Sequence, residues 1–157
     1  MRIRSLLNKD REKIKDILSA TDMFTDEEIN VAMELIDEFL EKGEASGYEI
    51  YTAVNEDDES IGYICFGKRP LTIATYDIYW IAVDPCYQGN GIGKSLIKFT
   101  EQKIKEKGGM LILVETSSQE KYQRTISFYN ACGYTEVARI RDFYKPTDDL
   151  IIFAKYI

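Results

Sequence analysis

Residues 79–97 read YWIAVDPCYQGNGIGKSLI, and this stretch decides the fold. An apolar strand runs into a turn that carries glycine at positions 89, 91 and 93, and an amphipathic helix starts directly from that turn. Glycine lets the main chain adopt positive φ and approach a ligand closely. The free N–H groups and the dipole of a first helical turn attract an anion. The sequence therefore predicts a pocket for a phosphorylated ligand at this turn.

Three glycine-rich patterns compete for this loop. A P-loop, G-x-x-x-x-G-K-[ST], has its last three residues here, but Gln88 stands at the place of its first glycine. A dinucleotide fingerprint, G-x-G-x-x-G, has Lys94 at the place of its third glycine. The pattern [Q/R]-x-x-G-x-[G/A] is matched in full by Gln88, Gly91 and Gly93. A nucleotide-binding switch or NTPase is therefore the weaker alternative.

Apolar spacing divides the chain into helices and strands. Helices are predicted at residues 10–20, 25–42, 91–107 and 123–131. Strands are predicted at residues 2–7, 48–54, 60–67, 76–83, 110–114, 135–140 and 150–155. The strand–helix–strand order from 76 to 114 is typical of a βαβ unit, which favours parallel pairing of its two strands.

A second motif lies further along the chain, where residues 128–134 read FYNACGY. Together with the loop and the preceding AVDP at 82–85, it resembles the GNAT superfamily of N-acetyltransferases, whose helix end reads F-Y-x-x-x-G-[F/Y]. The resemblance covers roughly residues 48–157. It implies an α/β fold with a mixed α+β sheet of about seven strands flanked by about four helices, the GNAT-like acyl-CoA N-acyltransferase fold. A single domain over residues 1–157 is expected.

The composition excludes several classes of function. A net charge of −7 argues against a nucleic-acid partner. The sequence contains no histidine, and its three cysteines show no C-x-x-C spacing, so we expect no metal site. We also expect no membrane partner and a cytoplasmic location, because no apolar run approaches the length of a membrane span.

The resemblance implies acetyl-CoA as co-substrate. Backbone N–H groups of residues 88–94 would hold its pyrophosphate, the edge of the strand at 81–83 would bind its pantetheine arm, and an N–H near Val83 would stabilise the oxyanion. Family members often carry Asn where this chain has Tyr122, so that contact departs from the pattern. The residues expected to bind the cofactor are Ile81, Ala82, Val83, Gln88, Gly89, Asn90, Gly91, Ile92, Gly93, Lys94, Ser95, Tyr122 and Tyr129.

The same resemblance implies that Tyr129 protonates the departing thiolate. Two carboxylates are candidates for the general base. Asp77 matches the position of a carboxylate in several family members, and strand alternation predicts that it shares a face with Ile81 and Val83. Glu115 follows the strand at 110–114, at the edge of the sheet where ligands usually bind.

The acceptor is expected to be a small cationic amine or a protein amino group. Two regions should form the wall of the acceptor site. They are residues 2–42 and a loop at residues 141–149, and this loop contains Asp142, Asp148 and Asp149. Exposed sheet edges make a homodimer possible. A non-catalytic CoA-binding or regulatory module on the same fold remains the alternative to an enzyme.

Overall fold

The computed structural model describes residues 1–157. It contains one seven-stranded mixed sheet with four α-helices, which confirms the predicted fold class. The strands are β1 (Arg2–Ser5), β2 (Glu49–Val54), β3 (Ser60–Lys68), β4 (Thr75–Val83), β5 (Leu111–Ser117), β6 (Thr135–Lys145) and β7 (Asp148–Tyr156). The helices are α1 (Arg11–Ala20), α2 (Asp26–Lys42), α3 (Ile92–Glu106) and α4 (Gln123–Ala131). The strand order is β1-β2-β3-β4-β5-β7-β6.

Helices cover both faces of the sheet because each carries one apolar stripe. Ile14, Ile17 and Ile36 of α1 and α2 are fully buried against one face. Leu96 and Ile104 of α3 are fully buried against the other, where the side chains of α4 join them. The start of α2 is held by the predicted capping box at residues 25–28, whose two hydrogen bonds measure 2.7 and 3.2 Å. No helix combines the length and the apolar character that a membrane crossing requires.

The two middle strands separate halfway along their length. β4 and β5 are parallel, as the βαβ pattern predicted, and they pair only over Thr75–Ile78 and Leu111–Val114. Beyond this point β4 continues to Val83 and β5 to Ser117 without pairing to each other. A gap therefore opens in the sheet beside the glycine-rich turn.

A β-bulge at Tyr79 changes which side chains share a face. Trp80 pairs with Cys65 and Ile78 pairs with Phe66, so that Tyr79 has no partner on β3. Ile78 before the bulge and Ile81 after it both pack into the core under α3. The expectation that Asp77 shares a face with Ile81 was wrong, because it assumed uninterrupted alternation and a bulge inserts one residue.

The segment after Ile140 also differs from its prediction. Residues 141–149 form the end of a β6–β7 hairpin instead of a loop, because β6 extends to Lys145 and β7 begins at Asp148. Every residue of β6 is exposed, and this strand forms one edge of the sheet. The homodimer stays a prediction, for which this edge is the candidate surface.

Candidate active site

A cleft with a volume of about 800 Å³ occupies the gap between β4 and β5. The glycine-rich turn and the start of α3 form one wall. The segment 21–25 before α2 and the tip of the β6–β7 hairpin contribute to the opposite wall, and α4 contributes Tyr129. The cleft thus lies where the carboxyl ends of the two parallel strands diverge, a usual place for a ligand in an α/β sheet.

The glycine-rich turn presents free backbone donors to this cleft. The N–H groups of the six residues 89–94 have no hydrogen-bond acceptor within the protein, whereas that of Gln88 donates to Pro85 O at 3.4 Å. All six residues except Asn90 line the cleft. Gly89 and Gly91 adopt φ of +83° and +75°, which any other L-residue would adopt only at a cost. The side chain of Gln88 fastens the turn by donating to Val83 O at 3.2 Å. The arrangement suits an anion such as a pyrophosphate.

The edge of β4 that faces the gap carries unpaired groups as well. The Asp84 N–H donates to Ile61 O at 3.0 Å, so the N–H of Asp84 points towards β3. Along an antiparallel strand, successive N–H groups point alternately towards the partner strand and away from it. By that alternation the N–H groups of Ile81 and Val83 point away from β3, into the gap. An extended ligand chain with amide groups could therefore pair with β4 as an added strand.

Tyr129 lies at the bottom of the cleft with 4% of its surface exposed. Burial raises the pKa of Tyr129 above the ordinary tyrosine value, because a phenolate would lose most of its hydration there. The hydroxyl therefore keeps its proton at neutral pH and is able to donate it.

The two candidate carboxylates have different surroundings. Asp77 does not line the cleft, and its carboxylate is clamped by Arg69, with two nitrogen–oxygen distances of 2.9 Å. Glu115 lines the cleft and its side chain is 48% exposed. Its only cationic neighbour is the same guanidinium, at 3.8 Å. The carboxylate of Glu115 is therefore accessible from the cleft and only loosely paired, whereas that of Asp77 is tied into a close ion pair outside the cleft.

The remaining predicted residues divide into two groups. Most of them line the cleft, namely Ile81, Ala82, Val83, Gln88, Gly89, Gly91, Ile92, Gly93, Lys94 and Tyr122. Asn90 and Ser95 do not line it, since their side chains bond back to the turn, at Tyr87 O (3.1 Å) and Gly91 O (3.1 Å). No cluster of three or more His, Cys, Asp or Glu side chains is arranged to hold a metal ion.

Tyr122 has a structural contact that its sequence position did not suggest. Its hydroxyl donates to Met23 O at 3.2 Å, and Lys121 donates to the same carbonyl at 2.9 Å. Burial raises the pKa of Tyr122 to about 12, so the hydroxyl remains a donor at neutral pH. These bonds fasten the segment between α1 and α2 to the start of α4 and so shape the cleft.

Sequence reasoning identified the regions of the acceptor wall but few of its residues. The wall includes Phe24, Trp80, Tyr144 and Asp148. Of the three aspartates predicted near the site, only Asp148 lines the cleft. No short motif connects these positions, because they come from distant segments that meet only in the folded sheet.

Comparison with known proteins gives consistent results. The sequence model of the acetyltransferase (GNAT) domain matches residues 46–136. A crystal structure from Desulfovibrio desulfuricans, described as an acetyltransferase of the GNAT family, superimposes with a TM-score of 0.95 at 39% identity, over 99% of this chain and 98% of the other. The [ribosomal protein bS18]-alanine N-acetyltransferase of Escherichia coli K12 is 30% identical over 92 residues, 57% of this chain.

The chain spans 61% of the length of that curated relative. A third similar protein, from Bacillus anthracis, is described as a streptothricin acetyltransferase and was crystallised in complex with acetyl coenzyme A. It shares 25% identity and a TM-score of 0.64, over 71% of this chain and 63% of its own.

Proposed function

This chain belongs to the GNAT family of acetyltransferases, and on that basis we propose that it transfers an acetyl group from acetyl-CoA to a primary amine. The acceptor is a small cationic amine or an amino group of a protein or peptide. Residues 1–157 act as one domain, since β1 and β7 from the two ends of the chain belong to the same sheet. The cytoplasmic location stays a prediction.

One observation carries the proposal. The six free N–H groups of residues 89–94 lie beside an open strand edge whose own N–H groups face the same cleft. The first feature suits a pyrophosphate and the second suits the amide groups of a pantetheine arm. Acetyl-CoA contains a pyrophosphate and a pantetheine arm with amide groups in one molecule. The two parts follow each other along the molecule as the free N–H groups of the turn and those of the strand edge follow each other along the cleft.

Different residues of the cleft carry out different parts of the acetyl transfer. Acetyl-CoA supplies a thioester carbonyl, at which a new C–N bond forms while the C–S bond breaks. The N–H of Val83, which points away from β3 by the alternation of the ladder, donates to the carbonyl oxygen as negative charge develops on it. Tyr129 donates its proton to the departing sulfur, which receives the electron pair of the broken bond.

Glu115 accepts the proton that the amine must lose, directly or through a water molecule. An alkylamine with a pKa of about 10.4 is neutral in only about one molecule in 10³ at pH 7, so a proton acceptor is needed. Glu115 is suited to this role because its carboxylate is accessible from the cleft. Asp77 is less suited, because both its oxygens accept hydrogen bonds from Arg69.

The proposal is tested by following release of the free CoA thiol over a panel of amines, amino acids and N-terminal peptides. Saturating CoA should also raise the melting temperature. At a hundred times Kd the gain is about 2.7 kcal/mol, which corresponds to about 5–10 °C for a chain of this size. If the protein shows neither turnover nor stabilisation by CoA, the proposal has no support. Stabilisation without turnover would favour a non-catalytic module.

A matched pair of glycine variants tests the binding site itself. Gly91→Ala and Gly108→Ala both place a side chain at positive φ, +75° and +77°, with no atom near the new Cβ. Both should lose about 1–2 kcal/mol of stability. Only Gly91→Ala should weaken CoA binding, since Gly108 lies outside the cleft. Equal CoA affinity in the two variants would argue against a cofactor site at residues 89–94.

A further inference from the structure

The acceptor side of the cleft contains a carboxylate that no cation in the protein neutralises. Asp148 lines the cleft and only 2% of its surface is exposed. Its two oxygens accept hydrogen bonds from Ser117 Oγ and Gln119 Nε2, both at 2.5 Å, and both donors are neutral. Lys145 is its partner across the hairpin but forms no ion pair with it.

The other buried aspartates show how unusual this is. Four aspartates of the chain are buried. Asp10 is paired with Arg4, Asp77 with Arg69, and Asp84 with Lys13. Asp148 alone lacks a cation, and it alone among the four lines the cleft. Because a buried carboxylate is costly unless it is paired, the missing partner is expected to be a cation that enters with the ligand.

The cleft that Asp148 lines also suits an organic ammonium group. Phe24, Trp80, Tyr122 and Tyr144 line the same cleft, and Phe24 packs edge-on against Trp80 with ring centroids 5.0 Å apart. Aromatic rings attract ammonium groups through their faces and also contact a hydrocarbon chain. A net charge of −7 adds long-range attraction for a cation.

The strand geometry relates this cation site to the reacting centre. Glu115 and Ser117 both lie on β5, two residues apart and on one face, so they are separated by roughly 7 Å. Ser117 donates to Asp148, and Glu115 is the proposed proton acceptor. A short aliphatic chain can therefore connect an amine at Glu115 with a second one near Asp148.

We propose that the acceptor is a small aliphatic diamine, of which one amine is acetylated beside Glu115 while the other, still protonated, binds Asp148 between the aromatic rings. This assignment rests on the proposed acetyl transfer and names its substrate class. The reacting nitrogen forms the new C–N bond and gives its proton to Glu115. The second ammonium takes no part in the chemistry and sets specificity.

The test compares three acceptors of one length in the intact protein. On the same five-carbon chain, cadaverine carries a second ammonium, aminopentanol has a hydroxyl in its place, and pentylamine has a hydrogen atom. A charge-assisted hydrogen bond in a desolvated site should raise kcat/KM for cadaverine about 10- to 100-fold above the other two. Equal values for the three amines in the wild-type protein would overturn the assignment, with no variant needed.

Two neighbouring aspartates provide a matched pair of variants. Asp148→Asn keeps a hydrogen-bonding side chain of the same size and should abolish the preference for cadaverine over pentylamine. Asp149→Asn removes the same charge one residue further along, outside the cleft, and should retain the preference. A preference that survives in Asp148→Asn would contradict the assignment. Should that variant fail to bind CoA because it is misfolded, the wild-type comparison decides.

The outcomes separate the two proposals. Turnover of all three amines without a preference for cadaverine rejects the diamine and leaves the acetyl transfer standing. A peptide with a free N-terminal alanine used more than tenfold better than cadaverine also rejects the diamine, in favour of a protein acceptor. Absence of turnover with every amine and peptide removes the acetyl transfer and the diamine together.

Discussion

Replacing the two candidate bases one at a time should separate catalysis from stability. Glu115→Gln removes an accessible carboxylate in the cleft, and Asp77→Asn removes a buried one that is paired with Arg69. If Glu115 is the base, its replacement should lower kcat/KM about 10²-fold or more, the usual contribution of general base catalysis. Because its side chain is 48% exposed, the free energy of unfolding should change by no more than about 0.5 kcal/mol.

Asp77→Asn should show the opposite pattern. Charge-assisted hydrogen bonds contribute about 1.5–3 kcal/mol. The Arg69 side chain is 43% exposed and can be hydrated in the variant, which reduces the loss to about 1–2 kcal/mol. This corresponds to a fall in melting temperature of about 2–8 °C. We expect kcat/KM to stay within about threefold of the wild-type value, since Asp77 does not line the cleft.

The assay combines thermal melting with initial rates of thiol release, both with the best acceptor from the panel. A control is needed because the Arg69 guanidinium, once released from Asp77, could pair with Glu115, from which it is 3.8 Å away. The double variant Arg69→Gln/Asp77→Asn removes that cation. A tenfold or greater loss of kcat/KM in Asp77→Asn that persists in the double variant would refute the assignment of Glu115, as would full activity of Glu115→Gln.

Three further predictions concern Tyr129 and Asp10. Tyr129→Phe should lower kcat about tenfold or more and leave the Kd for CoA unchanged, since its hydroxyl acts only on the departing sulfur; an unchanged kcat would exclude it as the acid. Because burial raises the pKa of Tyr129, the alkaline fall in kcat should lie above the ordinary tyrosine pKa of about 10, and a fall at lower pH would contradict this. Burial alone would raise the pKa of Asp10, but hydrogen bonds from Arg4, Leu7 and Ser60 outweigh it and lower that pKa below its ordinary value. The loss in free energy of unfolding caused by Asp10→Asn should therefore reach its full size above a pH of about 3.9. It should disappear as the pH falls through the lower pKa that Asp10 has in the native protein, and urea unfolding of the wild-type and variant proteins over acidic pH measures it.

The glycine-rich turn could be predicted from sequence because its causes are local. Residues 89–93 combine positive-φ glycines with the start of a helix, and each effect acts over one turn of chain. The capping box at the start of α2 is local in the same way. The parallel pairing of β4 and β5 followed from the rule for βαβ units, which depends only on the order of the elements.

The surroundings of Asp77 could not be predicted, because they depend on pairing between strands. Alternation placed Asp77 on the face of Ile81, but the bulge at Tyr79 arises from the register with β3 and reverses that assignment. The pairing with Arg69 has the same origin, since the end of β3 brings the guanidinium beside β4. No pattern within β4 itself contains this information.

The sequence by itself determined the family, the order of the elements and the turn that offers its amides, since periodicity, glycine and helix capping act between residues close together in the chain. Only the tertiary structure decided which carboxylate reaches the cleft and which buried aspartate has no cation. Glu115 and Asp148 come from strands that meet through the β5–β7 pairing, and burial and charge balance depend on every segment packed around them. Such properties belong to the assembled sheet and are not encoded in any short stretch of the chain.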